Sequence, residues 1–228
     1  MHVPYIQQEF LKYNIGKGFI SGHAEALHAA PPNADQFTDV IVENIIKRTG
    51  CAGIISTVSR VICDLNRVPN IQNNKGVEEY RRVIREVIEY LHIYDMSQKK
   101  IIKPYLHLSF HGMKDKHYGP AAIEIGTLCG RSCSPEIRRW FREKLIEKAN
   151  GVLPNITIVF DKKFKGDASI AFHRQGDGKN YAGYGPNFHS LQIELSYTLR
   201  KSHSVEAANV FADIMSDFQT EFVAKDLF

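Results

Sequence analysis

The chain lacks the sequence features of a membrane or secreted protein. It has no run of about 18 apolar residues, so no membrane-spanning helix is expected. Its N-terminal segment, MHVPYIQQEFLKYNIGKG, contains neither a basic stretch nor an apolar core, and we expect no signal peptide. The 228 residues include 4 cysteines, none of them in a CxxC pair. This pattern suits a reducing compartment, and we expect a cytoplasmic protein.

The chain also lacks a strong excess of either charge. Lysine and arginine total 29 and aspartate and glutamate total 25, which leaves a net charge of +4. The basic residues occur in short clusters that are not interleaved with aromatic residues, so we do not expect a nucleic-acid partner. The hydrophobic share of 43% is ordinary for a protein that buries a core. No repeat, linker or low-complexity tract divides the sequence, and we expect one domain over residues 1–228.

Strands and helices are predicted to alternate along the sequence. Helical periodicity, or capping residues, predict helices at 35–48, 77–94, 135–150 and 204–223. Apolar runs predict strands at 18–21, 54–58, 61–63, 123–126, 156–160 and 191–195, and another that ends at 111–112. This alternation favours an α/β fold, a three-layer sandwich around a largely parallel mixed sheet.

The segment SRVICDLNR, residues 59–67, carries the most informative pattern. A β-branched apolar run passes into a polar cluster, as in a buried strand that delivers side chains to a site at its carboxyl end. A guanidinium matches two carboxylate oxygens, so Asn66 and Arg67 are candidates to hold a substrate carboxylate, and Arg60 adds a second positive charge. For the tetrapeptide DLNR alone, a surface arginine beside a turn asparagine is the more common arrangement.

Two histidines are predicted at strand ends, where a metal site would form. His111 follows the apolar run LHLSF, and His23 follows the first predicted strand. A hydrolytic zinc ion usually takes three protein ligands, often two histidines and a carboxylate. Glu25 lies two residues from His23 and would point to the same side of an extended segment, while Asp35 is the alternative carboxylate. His107 is predicted on the same strand face as His111.

In their order along the chain, these segments resemble the N-formylglutamate amidohydrolase (deformylase) family, which is related to the zinc carboxypeptidase superfamily. The segments are SRVICDLNR (59–67), LSFHGM (108–113), EIGTLCGRSC (124–133), FKGD (164–167) and LQIEL (191–195). The chain departs from the family pattern at FKGD, where FKGG is typical, and at SGHAE, where Pro-His-Gly-Gly is common. The resemblance implies a zinc-carboxypeptidase-like fold, one zinc ion, and hydrolysis of an N-acyl, N-formyl-like amide of a small amino-acid carboxylate or peptide.

The resemblance also implies roles for single residues. Glu194, inside LQIEL, would be the general base that activates water, and Arg60 would stabilise the developing oxyanion. The remaining expected site residues are the metal ligands His23, Glu25 and His111 and the substrate-binding residues Asn66, Arg67 and Tyr184, the last in the glycine-rich segment 174–190. Two alternatives stay open: a carboxypeptidase-like or other amide hydrolase, and a degenerate, non-catalytic binding protein of the same fold.

Overall fold

A computed structural model describes residues 3–153 and 155–224 as a chain of alternating strands and helices. The elements in chain order are β1 (Ile6–Gln7), β2 (Leu11–Asn14), β3 (Gly22–Ala26), α1 (Thr38–Thr49), β4 (Ala52–Ser56), α2 (Asn74–Tyr90), β5 (Tyr94–Asp95), β6 (Lys100–Ile101), β7 (Tyr105–Met113), β8 (Ala122–Gly126), α3 (Pro135–Asn150), β9 (Thr157–Phe160), α4 (Ala168–Gln175), β10 (Phe188–Ser196), α5 (Tyr197–Ser202), α6 (Ser204–Phe218) and a π-helical turn (Gln219–Val223). Within these described residues no helix is both long and apolar enough to cross a bilayer.

Eight of the strands form one mixed sheet in the order β1-β2-β4-β3-β7-β10-β8-β9. The strands β4, β3, β7 and β10 are successive parallel neighbours, and β8 is parallel to β9. Antiparallel pairs join β1 to β2, β2 to β4, and β10 to β8. A separate antiparallel pair is formed by β5 and β6. The predicted α/β architecture around a largely parallel mixed sheet is confirmed.

The two faces of this sheet differ in chemistry. On one face, apolar side chains such as Phe110 and Ile193 pack in a core with α1, α3 and α6. The other face, which we call the polar face, carries His23 and Glu25 on β3, His107, Ser109 and His111 on β7, Glu124 on β8, and Ser190, Gln192 and Glu194 on β10. These residues share a face because side chains alternate along each strand and aligned residues of neighbouring strands point the same way.

Helices α2 and α4 cover the polar face, so that the sheet is buried on both sides. The apolar stripe of α2, which includes Val83 and Val87, packs with Leu11 of β2 and Ile54 of β4. Helix α4 lies against β10. Asp167 is the N-cap of α4, and its Oδ1 accepts a hydrogen bond from the Ser169 backbone N–H at 3.1 Å. This helix was not predicted from the sequence.

Two of the predicted strands are wrong: one lies at a different position, and the other is a loop. The first strand begins at Gly22 rather than at residue 18, so His23 lies inside β3 and not behind it. Residues 59–67 form a turn-rich loop between β4 and α2, in which Val61 and Ile62 are 51% and 62% exposed. Turn hydrogen bonds account for this loop, because the backbone N–H groups of Ile62 and Cys63 both donate to the Ser59 carbonyl, at 2.9 and 3.0 Å.

The start of α3 agrees with its sequence signals. Ser134 is the N-cap, and its hydroxyl accepts a hydrogen bond from the Ile137 backbone N–H at 3.3 Å. Pro135 occupies the first helical position, where its missing N–H costs nothing. The buried residues Trp140 and Phe141 fix α3 against the apolar face of the sheet, away from the polar face.

Candidate active site

Three potential metal ligands converge at the carboxyl edge of the sheet. His28 follows β3, His111 belongs to β7, and Asp35 lies in the segment that leads into α1. The Nδ1 atoms of His28 and His111 are 3.1 Å apart, and Asp35 Oδ2 is 3.5 Å from each of them. Ligand atoms at 2.0–2.1 Å from a tetrahedrally coordinated zinc ion lie about 3.3–3.4 Å from one another. The three atoms therefore have the mutual spacing of ligands to one ion.

The second nitrogen of each imidazole is held by a neighbouring side chain. His28 Nε2 lies 2.8 Å from Asp64 Oδ1, and His111 Nε2 lies 3.0 Å from Ser109 Oγ. In the tautomer with a proton on each Nε2, His28 donates to Asp64 and His111 donates to Ser109, and both Nδ1 lone pairs are directed at the shared point. Metal-binding histidines are oriented in this way by carboxylate or hydroxyl partners. The donor set of His28, Asp35 and His111 therefore fits a divalent cation.

Burial and neighbouring charges set the protonation of these ligands. Burial acts to raise the pKa of Asp35, but His111, His28 and Arg60 outweigh it and hold the pKa well below its ordinary value. Burial lowers the pKa of His111. The pKa of His28 is raised in spite of burial, because Asp35 and Asp64 favour its charged form. An ionised carboxylate and neutral imidazoles are the forms that bind a cation, so binding releases any proton held on His28.

Glu194 lies next to this group, at the position of β10 that is aligned with His111 of β7. It is 6% exposed, and Gln192 Nε2 donates a hydrogen bond to its Oε1 at 3.0 Å. Burial, followed by the negative charge of Asp35, raises the pKa of Glu194 to about 7. A carboxyl group with a pKa near neutrality is suited to exchange protons with a reacting group.

A cleft of about 360 Å³ opens onto His28, Asp35, His111 and Glu194. Its remaining lining is mostly basic, amide-bearing or glycine: Arg60, Asn66, Arg67, Gly112, Lys163, Phe164, Lys165, Gly166, Asp167 and Gln192. The basic residues give the cleft a positive rim around the acidic Asp35 and Glu194. A positively lined cleft favours a ligand with a carboxylate.

The loop 59–67 brings the predicted binding residues to this cleft, but their side chains differ in exposure and in hydrogen-bond partners. Arg60 donates to Asp35 Oδ1 at 2.5 Å, so its guanidinium is fixed beside the candidate ligands. Arg67 is 49% exposed at the rim, where its guanidinium donates to the Asn66 carbonyl at 2.8 Å and lies 3.8 Å from Asp64 Oδ2. The side-chain amide of Asn66 faces inward, 3.3 Å from His111 Nε2 and 3.5 Å from Gln192 Oε1. Asn66 and Arg67 both line the cleft, and their assignment to substrate binding stays a prediction.

His23 and Glu25 do not lie with His111; they form a second, buried cluster with His107. His23 Nε2 is 3.3 Å from Glu25 Oε2, and His107 Nε2 is 2.8 Å from Glu25 Oε1. The rings of His23 and His107 stack in near-parallel planes, with centroids 4.3 Å apart and planes 9° apart. Lone pairs in stacked parallel rings do not meet at one point, so this arrangement fits a cation poorly. The assignment of His23 and Glu25 as ligands stays a prediction.

Tyr184 is likewise not among the residues that line the cleft. It is 4% exposed and stacks on Phe188 with ring centroids 5.3 Å apart. Its neighbour Tyr181 contacts the Nδ1 atom of His173 through its hydroxyl at 3.0 Å. Both tyrosines pack in the layer that covers the polar face, so a substrate would not reach Tyr184 in this structure. Its assignment to substrate binding stays a prediction.

Sequence reasoning missed His28, Asp64 and Arg200. His28 was missed because the strand before it was predicted too early in the sequence. With β3 at Gly22–Ala26, His28 is the histidine just beyond the strand. Arg200 is buried, and its Nε donates to the Leu195 carbonyl at 3.0 Å. It fills the space beside Gly112, where a Cβ atom would lie 2.4 Å from Arg200 Cζ. No local motif in the sequence marks Arg200.

No family model matches the chain, and no match was found among the curated proteins. Solved structures match over nearly the whole chain. N-formylglutamate amidohydrolase from Ralstonia eutropha JMP134 aligns with a TM-score of 0.64 at 16% identity, covering 93% of this chain and 99% of that chain. A bacteriophage poly-gamma-glutamate hydrolase aligns with a TM-score of 0.52 at 12% identity, covering 92% and 89%.

A metallo-carboxypeptidase from Burkholderia cenocepacia aligns with a TM-score of 0.51 at 13% identity, covering 92% of this chain but 61% of that chain. At such low identities the likeness concerns the fold. The chain thus shares its fold with an N-formylglutamate amidohydrolase and with a metallo-carboxypeptidase, and the resemblance noted in the sequence is confirmed at that level.

Proposed function

We propose that this chain is a metal-dependent amidohydrolase that cleaves the N-acyl, N-formyl-like amide of a small amino-acid carboxylate. The observation that carries the proposal is the 3.1–3.5 Å spacing of His28 Nδ1, Asp35 Oδ2 and His111 Nδ1 at the floor of an open cleft. The shared fold with the N-formylglutamate amidohydrolase of Ralstonia eutropha supports the choice of reaction.

His28, Asp35 and His111 would hold the ion, and zinc suits two imidazoles and one carboxylate. A zinc ion with three protein ligands lowers the pKa of water and polarises a carbonyl group. The cleft above these ligands provides the open side that a catalytic site needs and a closed structural site lacks. These ligands take the place of the predicted set of His23, Glu25 and His111.

Three other cleft residues would take part in catalysis or in substrate binding. Glu194 accepts a proton from the attacking water at a carboxylate oxygen and passes it to the leaving nitrogen. Arg60, fixed by Asp35, stabilises the negative charge that develops on the amide oxygen. Arg67 at the rim binds the substrate carboxylate, which holds the amide in register with Glu194.

Metal content and turnover of two matched histidine variants test the proposal. We expect His28→Ala to lose the divalent ion and the hydrolysis of N-formyl amino acids. His23→Ala also removes a buried imidazole, so it controls for damage to packing, and we expect it to retain both properties. Full metal content in His28→Ala, or loss confined to His23→Ala, would contradict the assignment of ligands.

The choice of substrate separates the alternatives. Cleavage of a peptide without cleavage of any N-acyl amino acid would favour the carboxypeptidase-like alternative. Full metal content with no hydrolysis of either class would favour a non-catalytic binding protein of the same fold. Both comparisons use the wild-type chain and need only a panel of N-acyl amino acids and short peptides.

A further inference from the structure

Glu124 is a buried carboxylate with an unusual set of partners. It lies on β8, aligned with Glu194 of β10, and it is fully buried. Its Oε1 accepts hydrogen bonds from three successive backbone N–H groups, those of Lys162 at 2.8 Å, Lys163 at 2.6 Å and Phe164 at 2.8 Å. Hydrogen bonds to an ionised acceptor are about twice as strong as those between neutral groups. Glu124 therefore ties an irregular segment to the polar face of the sheet.

The segment that Glu124 ties down, residues 161–167 between β9 and α4, forms one wall of the cleft, and we call it the wall loop. Its residues Lys163, Phe164, Lys165, Gly166 and Asp167 all line the cleft. Lys163 and Lys165 have exposed side chains. The wall loop thus lines the cleft with two lysines and its own backbone. Lys163 Nζ also contacts His117 Nδ1 at 3.1 Å, and Asp167 Oδ2 lies 4.0 Å from Arg67 Nη1.

Gly126 of β8 allows the wall loop to lie close against the sheet. A Cβ atom at Gly126 would lie 2.5 Å from the Phe164 carbonyl oxygen and 2.8 Å from the Gly166 nitrogen. These backbone atoms do not move away cheaply, so only glycine admits the loop at this distance. The Leu128 N–H also donates to the Lys165 carbonyl at 2.6 Å. Contacts from β8 and its following turn therefore fix the loop along its length.

We propose that Glu124 is a positioning residue, which holds the wall loop in the place where it binds the substrate part that faces Lys163 and Lys165. The carboxylate does not touch the substrate; it acts through three backbone N–H groups. The kinetic part of this inference rests on the proposed function, whereas the order of the loop does not. Hydrogen exchange measures that order without any enzymatic activity.

The wild-type chain gives the first test. Although Lys162 and Lys163 are exposed loop residues, their backbone N–H groups should exchange slowly, since exchange requires release from Glu124. The amides of Ser97 and Gln98 are a matched control, because they donate at 2.8 and 3.1 Å to the exposed carboxylate of Asp95. After correction for sequence, we expect exchange at 162–164 to be at least about tenfold slower than at 97–98. Equal rates would overturn the proposal.

Glu124→Gln gives the second test. Its neutral amide keeps the shape but weakens the three hydrogen bonds, so exchange at 162–164 and trypsin cleavage after Lys162, Lys163 or Lys165 should become faster. The metal content should stay at the wild-type value. KM should rise by roughly tenfold with kcat little changed, because the loop contributes binding that ground and transition states share. Asp95→Asn, which weakens the hydrogen bonds of the control residues Ser97 and Gln98, should change neither KM nor trypsin cleavage at these lysines.

A purely structural Glu124 would give a different result, with a lower melting temperature, faster exchange throughout the sheet, and an unchanged KM per folded molecule. That result overturns the proposal. If Glu124→Gln does not fold, Gly126→Ala tests the same loop from its other contact and should raise KM in the same way. If the wild type cleaves no N-acyl amino acid, the dissociation constant of a free amino acid replaces KM, so failure of the proposed function remains distinguishable.

Discussion

The contact between Asp64 and His28 allows a quantitative test of the candidate metal site. Asp64 Oδ1 lies 2.8 Å from His28 Nε2, on the side of the ring away from Asp35 and His111. The carboxylate keeps the proton on Nε2 and so leaves Nδ1 free to bind a cation. In Asp64→Asn the amide is close in shape, but it lacks the charge and can also present an N–H to the ring, which favours the wrong tautomer.

The expected loss of metal affinity in Asp64→Asn depends on how exposed the Asp64 carboxylate is. Loss of an outer partner of a metal-binding histidine usually weakens metal affinity by about 10–100-fold, equal to about 1.4–2.7 kcal/mol. The Asp64 side chain is 20% exposed, so water screens part of its charge. We therefore expect a loss near the lower limit, about tenfold in the dissociation constant.

Competition with a chromogenic chelator at fixed pH and ionic strength measures this constant. The matched control is Asp167→Asn, which removes one negative charge from the same cleft without touching His28. Asparagine is also a good N-cap, so the start of α4 should survive. Unchanged affinity in Asp64→Asn, or an equal loss in both variants, would refute the orienting role of Asp64.

Four other substitutions test separate parts of the structure. Glu194→Gln should keep metal and fold but lower kcat by roughly 10²-fold or more, because the amide cannot accept a proton; near-normal kcat would remove Glu194 from the mechanism. Arg67→Ala should chiefly raise KM and Arg60→Ala should chiefly lower kcat; the same kinetic defect in both would contradict this division. Glu25→Gln should retain metal but lower the free energy of unfolding by about 1–3 kcal/mol, because it leaves partners of a buried, hydrogen-bonded carboxylate unsatisfied; denaturant unfolding with a change below about 0.5 kcal/mol would contradict it.

The sheet was predictable because its strands have strong local patterns. Segments such as LHLSF and LQIEL alternate apolar and polar residues, and the helices between them have clear caps or apolar stripes. The position of β3 was harder, because GHAEA contains alanine and glutamate, which local propensity does not favour in strands. Only its pairing with β4 and β7 makes this segment a strand. Because the predicted strand began a few residues too early, His23 rather than His28 was expected just behind it.

The candidate site was predictable where it depends on residue order along the sheet. His111 and Glu194 lie on strands whose limits were nearly correct, and they are aligned in the structure. The loop 59–67 was predicted as a strand, yet it still brings Arg60 and Arg67 to the cleft. Contacts between distant segments, such as that of His28 with Asp64, leave no local pattern. The same holds for Glu124 and the wall loop.

The polar face explains why two clusters of the same composition are hard to tell apart in the sequence. A polar group buried between a sheet and its covering helices needs a partner. In the deeper cluster, His23 Nδ1 lies 2.8 Å from the Tyr105 hydroxyl, and Tyr80 donates to Glu25 at 2.7 Å. There the partners close the network among themselves, and the imidazole rings stack.

At the carboxyl edge the same kinds of side chain are arranged differently. Asp64 and Ser109 take the outer nitrogens of His28 and His111, so the inner nitrogens of these rings face each other and Asp35. Two neighbouring imidazole nitrogens whose protons are held elsewhere repel each other unless a proton or a metal cation lies between them. The direction of the lone pairs, more than the count of histidines and carboxylates, therefore distinguishes the candidate metal site from the deeper cluster, whose members hydrogen-bond to one another.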